Sequence, residues 1–407
     1  MATAAPATSH PAAAHPATSH PAPRGACPFA PPPAYQQAVR DEPVTRVALW
    51  DGAPCWLVTR HQDTRDVLAD PRFSADAARP GFPFLSAAAR QIGAGKTSFI
   101  RMDDPEHSRL RRMLTGDFTL RKTAALRPAI QQVADRLFAA MTTGRTRADL
   151  VADFALPLPS LVICLLLGVP YEDHEFFQRC SRSLLNRDSP VEEVLAAQDA
   201  LTEYLDTLTD SKRGNPDDGI LSRLVERGEL PTEEIGAMGR LLLIAGHETT
   251  ANMTALSVLA LLRHPDQLAH LRAHPEATPA AVEELLRWLS IVQTGVTRVA
   301  VEDVEVGGVL IRAGEGVICQ LNTANRDEDR YPDGDTLDLT RDTRRHVAFG
   351  FGVHQCLGQP LARLELEIAL DTLLRGLPDL RLAVPFEEIR FRHEMTVYGI
   401  ETLPVTW

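Results

Sequence analysis

Phe349-Gly350-Phe351-Gly352-Val353-His354-Gln355-Cys356-Leu357-Gly358-Gln359-Pro360 is a glycine-loosened loop that ends on a cysteine and runs straight into a helix. Leu361, Leu364 and Ile368 share one helical face, and leucines on the other faces predict a largely buried helix. Pro360 falls in the first turn, where a missing N–H costs nothing, and Gly376 followed by Pro378 closes the segment. Cys356 therefore sits at a helix N-terminus, beside free backbone N–H groups and the positive end of the dipole, and both favour thiolate over thiol. Gly350, Gly352 and Gly358 let the backbone approach a bulky flat group closely. A lone cysteine in a core is more often structural. So many residue types at set positions in one short loop point instead to a thiolate built as an axial metal ligand.

Upstream, Thr232-Glu233-Glu234 after Pro231 opens a helix predicted to run to about Arg263, where His264-Pro265 stops it. Its middle is apolar all round, which places it through the centre of the protein. Ala245-Gly246-His247-Glu248-Thr249-Thr250 interrupts that apolar stretch. Charge and hydroxyls there are costly unless partnered, Gly246 weakens the helix by about 1 kcal/mol relative to Ala, and threonines can bond preceding carbonyls and bend it. Further on, Glu284 and Arg287 stand at i, i+3 on a short amphipathic helix over Pro279–Ser290.

The rest of the chain reads as mainly α with a small β portion. Residues 1–33 are Ala, Pro, Thr, Ser and His, with Pro-Ala-Thr-Ser-His-Pro-Ala at 6–12 and again at 16–22, and read as a disordered tail. It lacks the basic n-region of a secretory signal. Val44–Trp50 and Cys55–Thr59 flank Asp51-Gly52 as a hairpin, and a short helix follows around Gln62–Ala69. Residues 79–100 read as a long functional loop. Helices are expected from Asp104-Pro105-Glu106 onward, over Thr123–Met141, Ser160–Leu167, His174–Leu185 and Val191–Asp210, with 212–218 a loop. Val296–Ala300, Val304–Val306, Val309–Ile311 and Val317–Leu321 are strand candidates, and a second β region is expected around Arg390–Val405.

Composition narrows the function classes. With 42 basic and 54 acidic residues the net charge is −12, the opposite balance to a duplex nucleic-acid binder. The six cysteines show neither zinc or redox spacing nor a disulfide framework, which fits a reducing cytoplasm. No stretch approaches the ~18 apolar residues of a membrane span. No flavin or nicotinamide Gly-x-Gly-x-x-Gly fingerprint opens a strand–helix unit, so any electrons should come from separate proteins.

The spacing of Phe349, Gly350, Gly352, His354, Cys356 and Gly358 is similar to the haem-binding loop of the cytochrome P-450 family. Ala245–Thr250 resembles that family's oxygen-activation motif. Glu284-Leu285-Leu286-Arg287 resembles its structural Glu-x-x-Arg, with Arg341 at the partner position in the meander before the cysteine loop. The resemblance covers nearly everything after Cys27 and is closest to soluble actinomycete members. It implies the P-450 fold over 34–407, a single haem-binding domain with haem b between the central helix and the cysteine helix and Cys356 as proximal ligand. By the same resemblance Gly246, beside Ala245, leaves room for dioxygen, Thr249 holds the reduced oxygen and a water, and Glu248 feeds protons from solvent. His107 and Arg111 on one helix face, Arg298, and His354 match the propionate clamp, with Phe349 and Gly352 cradling the ring.

The implied reaction is hydroxylation of a lipophilic macrolide or polyketide, terpenoid, steroid or xenobiotic, in the manner of secondary metabolism. It would use dioxygen and two electrons from a ferredoxin and its reductase, the enzyme being a cytoplasmic monomer. Arg109, Arg112, Arg344, Arg345 and Arg363 would lie on the thiolate side as a ferredoxin-docking face, with dispersed solubilising charge as the equal alternative. Residues 79–100, 170–190, 292–296 and 395–398 would wall the substrate pocket. The rival reading is a haem-thiolate protein that binds or senses a ligand without turnover, and a sensor would have no need of a proton relay at Glu248 and Thr249.

Overall fold

The computed structural model describes residues 18–93 and 98–407. The chain is mainly helical and is organised on the helix Thr232–Arg263, which begins and ends where its flanking prolines require. Nearly all of its second half is buried, including Leu243, Leu256, Leu259 and Leu261, each contributing about 1.5–3 kcal/mol by leaving water. Against it pack the helices Pro157–Leu167 and Val191–Ser211 and the cysteine helix Gln359–Gly376, whose apolar residues join the same large core. Pro360 occupies the first turn of the cysteine helix, as its missing N–H predicts.

Beside this helical body lies a six-stranded sheet in the order Thr18–Ser19, Val44–Ala48, Pro54–Val58, Gly316–Cys319, Val296–Ala300, Phe73–Ser74. The Asp51-Gly52 hairpin forms with Val44 opposite Val58 and Ala48 opposite Pro54. Val296–Ala300 runs antiparallel to Gly316–Cys319, with Arg298 opposite Val317. A small second sheet joins Arg381–Leu382, Pro404–Thr406 and Arg147–Asp149, so the expected C-terminal β region is reduced to one strand plus isolated bridges.

Four expectations need correction. Residues 18–33 are seated rather than free, while the earlier part of the expected tail, 1–17, lies outside the described residues. Thr18 and Ser19 pair with Val47 and Ala48, and the buried His20 ring joins Tyr35 Oη (2.7 Å) to the Thr294 carbonyl (3.1 Å). Arg24 stacks on Tyr398 at 3.7 Å and donates to the carbonyls of Pro28 and Ala30. These long-range contacts offset the ordering entropy that the composition alone could not. Within 79–100, Ala87–Gly93 is helical, started by Ser86 Oγ accepting from the Ala89 N–H, and Phe99–Arg101 is a 3₁₀ turn. The expected helix over Thr123–Met141 divides into Leu120–Ala125 and Arg127–Thr142. The fourth strand stops at Cys319, and Leu321–Ala324 turns helically.

Candidate active site

The cysteine loop is folded by its own backbone. The Gly350 N–H donates to Val347 O, and the Cys356 N–H returns to Phe349 O at 2.9 Å. Gly350 and Gly352 hold φ of 70° and 75°, a region L-residues avoid. A Cβ on Gly352 would lie 2.3 Å from the Leu68 carbonyl oxygen, so only glycine fits there. Phe349 is sandwiched between His346 and the Arg363 guanidinium, the latter 4.6 Å from its ring. Cys356 lies deep within the chain, yet its side chain is accessible, as expected of a sulfur bordering an internal cleft. Burial pushes its thiol pKa up. The Gly358 N–H, the charges of Arg111 and Arg363 and the Gln359 N–H pull the other way, since each favours negative sulfur.

The central helix keeps accessible surface in its middle. Leu241, Ala245 and Thr249, at i, i+4, i+8, carry it, and Ile244 and Gly246 are partly open as well, while Leu242, Leu243, His247, Glu248 and Thr250 around them are buried. Thr249 Oγ1 donates to the Ala245 carbonyl at 2.7 Å, which leaves its lone pairs free to accept. A Cβ on Gly246 would meet Ile163 Cδ1 at 2.8 Å, so this glycine admits the neighbouring helix. The most open of these positions is Ala245. Glu248 is buried, with its carboxylate 3.6 Å from Arg392 Nη1 and accepting from Asn252 Nδ2 at 3.3 Å. His247 donates to Leu243 O, and its buried Nε2 finds no partner among the described residues.

Two arginines and two histidines gather beside the cysteine loop. His107 on the helix Glu106–Thr115 is 1% exposed, its ring centroid lies 3.9 Å from that of His354, and its Nε2 has no hydrogen-bond partner among the described residues. Arg111, one turn on, donates to Gln355 O at 2.6 Å. Arg298 is buried, with its Nη1 on the Thr297 carbonyl at 2.8 Å. Burial and then Arg298 and His107 lower the pKa of His354 to about 3, and burial also lowers those of His107, Arg111 and Arg298. Two guanidiniums, the buried Arg298 and the half-buried Arg111, beside two imidazoles of which His107 has an orphaned nitrogen, fit a group bearing carboxylates. Among the described residues no three ligating side chains converge, so a metal on Cys356 must bring its remaining ligands with it. A porphyrin carrying iron and two propionates fits both conditions.

The loop's mounting is structural. Glu284 and Arg287 are fully buried and joined by bonds of 2.7 and 2.8 Å. Arg287 also donates to the carbonyls of Asn325, Gly334 and Thr336, and Arg341 Nε approaches Glu284 at 3.5 Å, as expected of that trio. Sequence reading missed Arg326, which donates to the carbonyls of Trp288 and Phe29 and to Asp335. Of the five arginines expected on the thiolate side, Arg109, Arg344 and Arg363 are taken up by Glu106, Asp342 and Glu283. Arg112 and Arg345 make no ion pair among the described residues. Three of the four segments expected as pocket walls meet: Asn186 bridges Met395, Val292 bridges Val397, and the Thr396 N–H donates to Leu185 O. Among the described residues no helix is long and apolar enough to cross a membrane.

Residues 46–378 match the family model described as Cytochrome P450. The chain is 66% identical to Cytochrome P450-SU2 of Streptomyces griseolus and 51% identical to pentalenic acid synthase of Streptomyces avermitilis. Each alignment covers 94% of this chain, with 94% and 95% of the respective relatives. The crystal structure of the mycinamicin VIII C21 methyl hydroxylase MycCI from Micromonospora griseorubida, bound to mycinamicin VIII, superposes with a TM-score of 0.90. It is 42% identical and covers 96% of this chain and all of that one.

Proposed function

The chain belongs to the cytochrome P450 family and is a P450 monooxygenase, and we propose that it carries haem b on Cys356 and hydroxylates a lipophilic small molecule. Membership implies a haem-thiolate cofactor, which when bound supplies the electron-rich iron that cleaves the O–O bond. The observation that carries the assignment to these residues is a coincidence around an accessible, deeply placed Cys356 sulfur. Among the described residues it lies with an unpartnered buried nitrogen on His107 and with two guanidiniums, Arg111 and Arg298, that pair with no carboxylate.

In this reading the N–H groups of Gly358 and Gln359 hold the sulfur's charge, while Phe349 and Gly352 shape the floor of the cleft. His107 Nε2, Arg111, Arg298 and His354 receive the two propionates. Thr249, having donated its proton to the Ala245 carbonyl, accepts at Oγ1 and so orients a water or protonated group in the cleft. Glu248, on the same helix turn and 3.6 Å from Arg392 Nη1, would pass protons from solvent toward Thr249.

The substrate would lie between 79–100, 170–190, 292–296 and 395–398. The first of these contributes Phe82 and Phe84, whose rings are 5.1 Å apart, and the last contributes Val397 and Tyr398. Such walls favour a macrolide or polyketide, terpenoid, steroid or xenobiotic, and relatives named for pentalenic acid and mycinamicin support that range. Electrons would arrive from a ferredoxin and its reductase, docked over Arg112 and Arg345 on the thiolate side. A compound screen following displacement of the water ligand from ferric iron, then turnover of the hits under labelled dioxygen, tests this. One labelled oxygen atom in the product is expected. Products without label, or no lipophilic compound shifting the spectrum, would overturn it.

A further inference from the structure

Arg287 and Arg326, both buried, are saturated with acceptors. Arg101 is not. It lies deep beside the strand Val296–Ala300, in the 3₁₀ turn Phe99–Arg101, with one hydrogen bond among the described residues, Nη1 to Thr297 Oγ1 at 2.7 Å. The face of its guanidinium rests 5.0 Å from the centroid of Phe82. Burial and the neighbouring charge of Arg298 lower its pKa to about 10. No carboxylate comes within 4 Å of Arg101 or Arg298 among the described residues. The nearest acid in sequence, Asp103, is committed to Ser74 Oγ, the Ala75 N–H and Arg79.

Two like charges held together in a low-dielectric interior repel strongly unless an anion joins them. The same turn ties Arg101 to the cluster already described, since Phe99 packs against the His107 ring at 6.1 Å. Stacking on Phe82 and the bond to Thr297 fix the plane of the guanidinium and leave its other N–H groups to donate, the arrangement that suits a carboxylate. We propose that Arg101 is a third guanidinium of the anion site, sharing with Arg298 one carboxylate of the bound group. On the P450 reading, on which this rests, that carboxylate is a haem propionate. The same chemistry could serve a substrate carboxylate, and the convergence of His107, Arg111, Arg298 and His354 favours the propionate.

The test uses the holoprotein and the variants Arg101→Gln and Arg101→Lys, with haem transfer to excess apomyoglobin as readout. Loss of charge-assisted hydrogen bonds should speed haem release from Arg101→Gln roughly tenfold, with Arg101→Lys between it and wild type. In proteins reconstituted with the iron porphyrin dimethyl ester, which has no propionate charge, Arg101→Gln and wild type should release at the same rate. Equal release of ordinary haem would overturn the proposal. So would an equal acceleration for both porphyrins, the sign of a loosened fold. Unchanged haem release with loss of dodecanoate binding, but not of methyl dodecanoate binding, would assign Arg101 to a substrate carboxylate and overturn the propionate assignment. A wild-type chain that takes up no haem would instead sink the reading beneath it.

Discussion

Replacing Arg287 by Ala should be close to the largest loss of stability that a single side chain can cause here. Arg287 is fully buried and donates to both Glu284 oxygens and to the carbonyls of Asn325, Gly334 and Thr336. Removing one partner of such a pair costs about 3–5 kcal/mol, because Glu284 stays in the interior with only the Asp338 N–H and the more distant Arg341. The abandoned carbonyls add to this, at about 1–3 kcal/mol for a buried acceptor left unmet. The loss therefore reaches ~5 kcal/mol or more, comparable with the entire stability of many domains. Lys at 287 should rescue little, since its ammonium cannot fork onto Glu284 and reach three carbonyls together. Urea unfolding followed through Trp288, whose indole donates to Asp335 O beside the site, gives the number. Where Arg287→Ala does not accumulate, Glu284→Gln provides a measurable variant. It keeps the arginine's carbonyl partners but turns an amide N–H toward Arg287, and should lose about 3 kcal/mol. An Arg287→Ala midpoint within about 1 kcal/mol of wild type would refute the reasoning.

Thr249→Ala removes the accepting oxygen from the accessible middle of the central helix and should divert reducing equivalents to hydrogen peroxide, read as peroxide formed per electron pair consumed. Unchanged coupling would count against Thr249 as the proton-orienting group. Acid should release the N-terminal segment through His20. Burial lowers its folded-state pKa to about 4, opposed by its bond to the Thr294 carbonyl, whereas the unfolded chain titrates near 6.5. The unfolded form thus takes the proton first, and the stabilisation, complete above pH 6.5, declines as pH falls toward 4. Hydrogen exchange at the Thr18 and Ser19 amides should accelerate over that window in wild type and lose the dependence in His20→Gln. An identical pH profile in the variant would exclude His20 as the cause.

What could be read from the sequence was what neighbours along the chain decide. The central helix has both ends marked by prolines, and its apolar middle is continuous, so its bounds followed from local rules. The cysteine helix has Pro360 and Gly376 for the same reason. Glu284, Arg287 and Arg341 came together as the resemblance implied. Distant partners decided what was missed. His20 is ordered by Tyr35 and by Thr294, which is hundreds of residues away, so no window around residues 18–33 could reveal it. Gly246 is required by Ile163 on another helix, and Glu248 stands beside Arg392, far along the chain. The deep placement of Arg101 depends on Phe82 and Thr297, and nothing in Phe99-Ile100-Arg101-Met102 marks it as a buried cation.

The central claim is that the sulfur of Cys356 binds iron. Reducing the purified protein under carbon monoxide should give the strongly red-shifted Soret band of a thiolate haem, and Cys356→Ser should abolish it. A wild-type spectrum without that band, or a serine variant that retains it, would contradict the account.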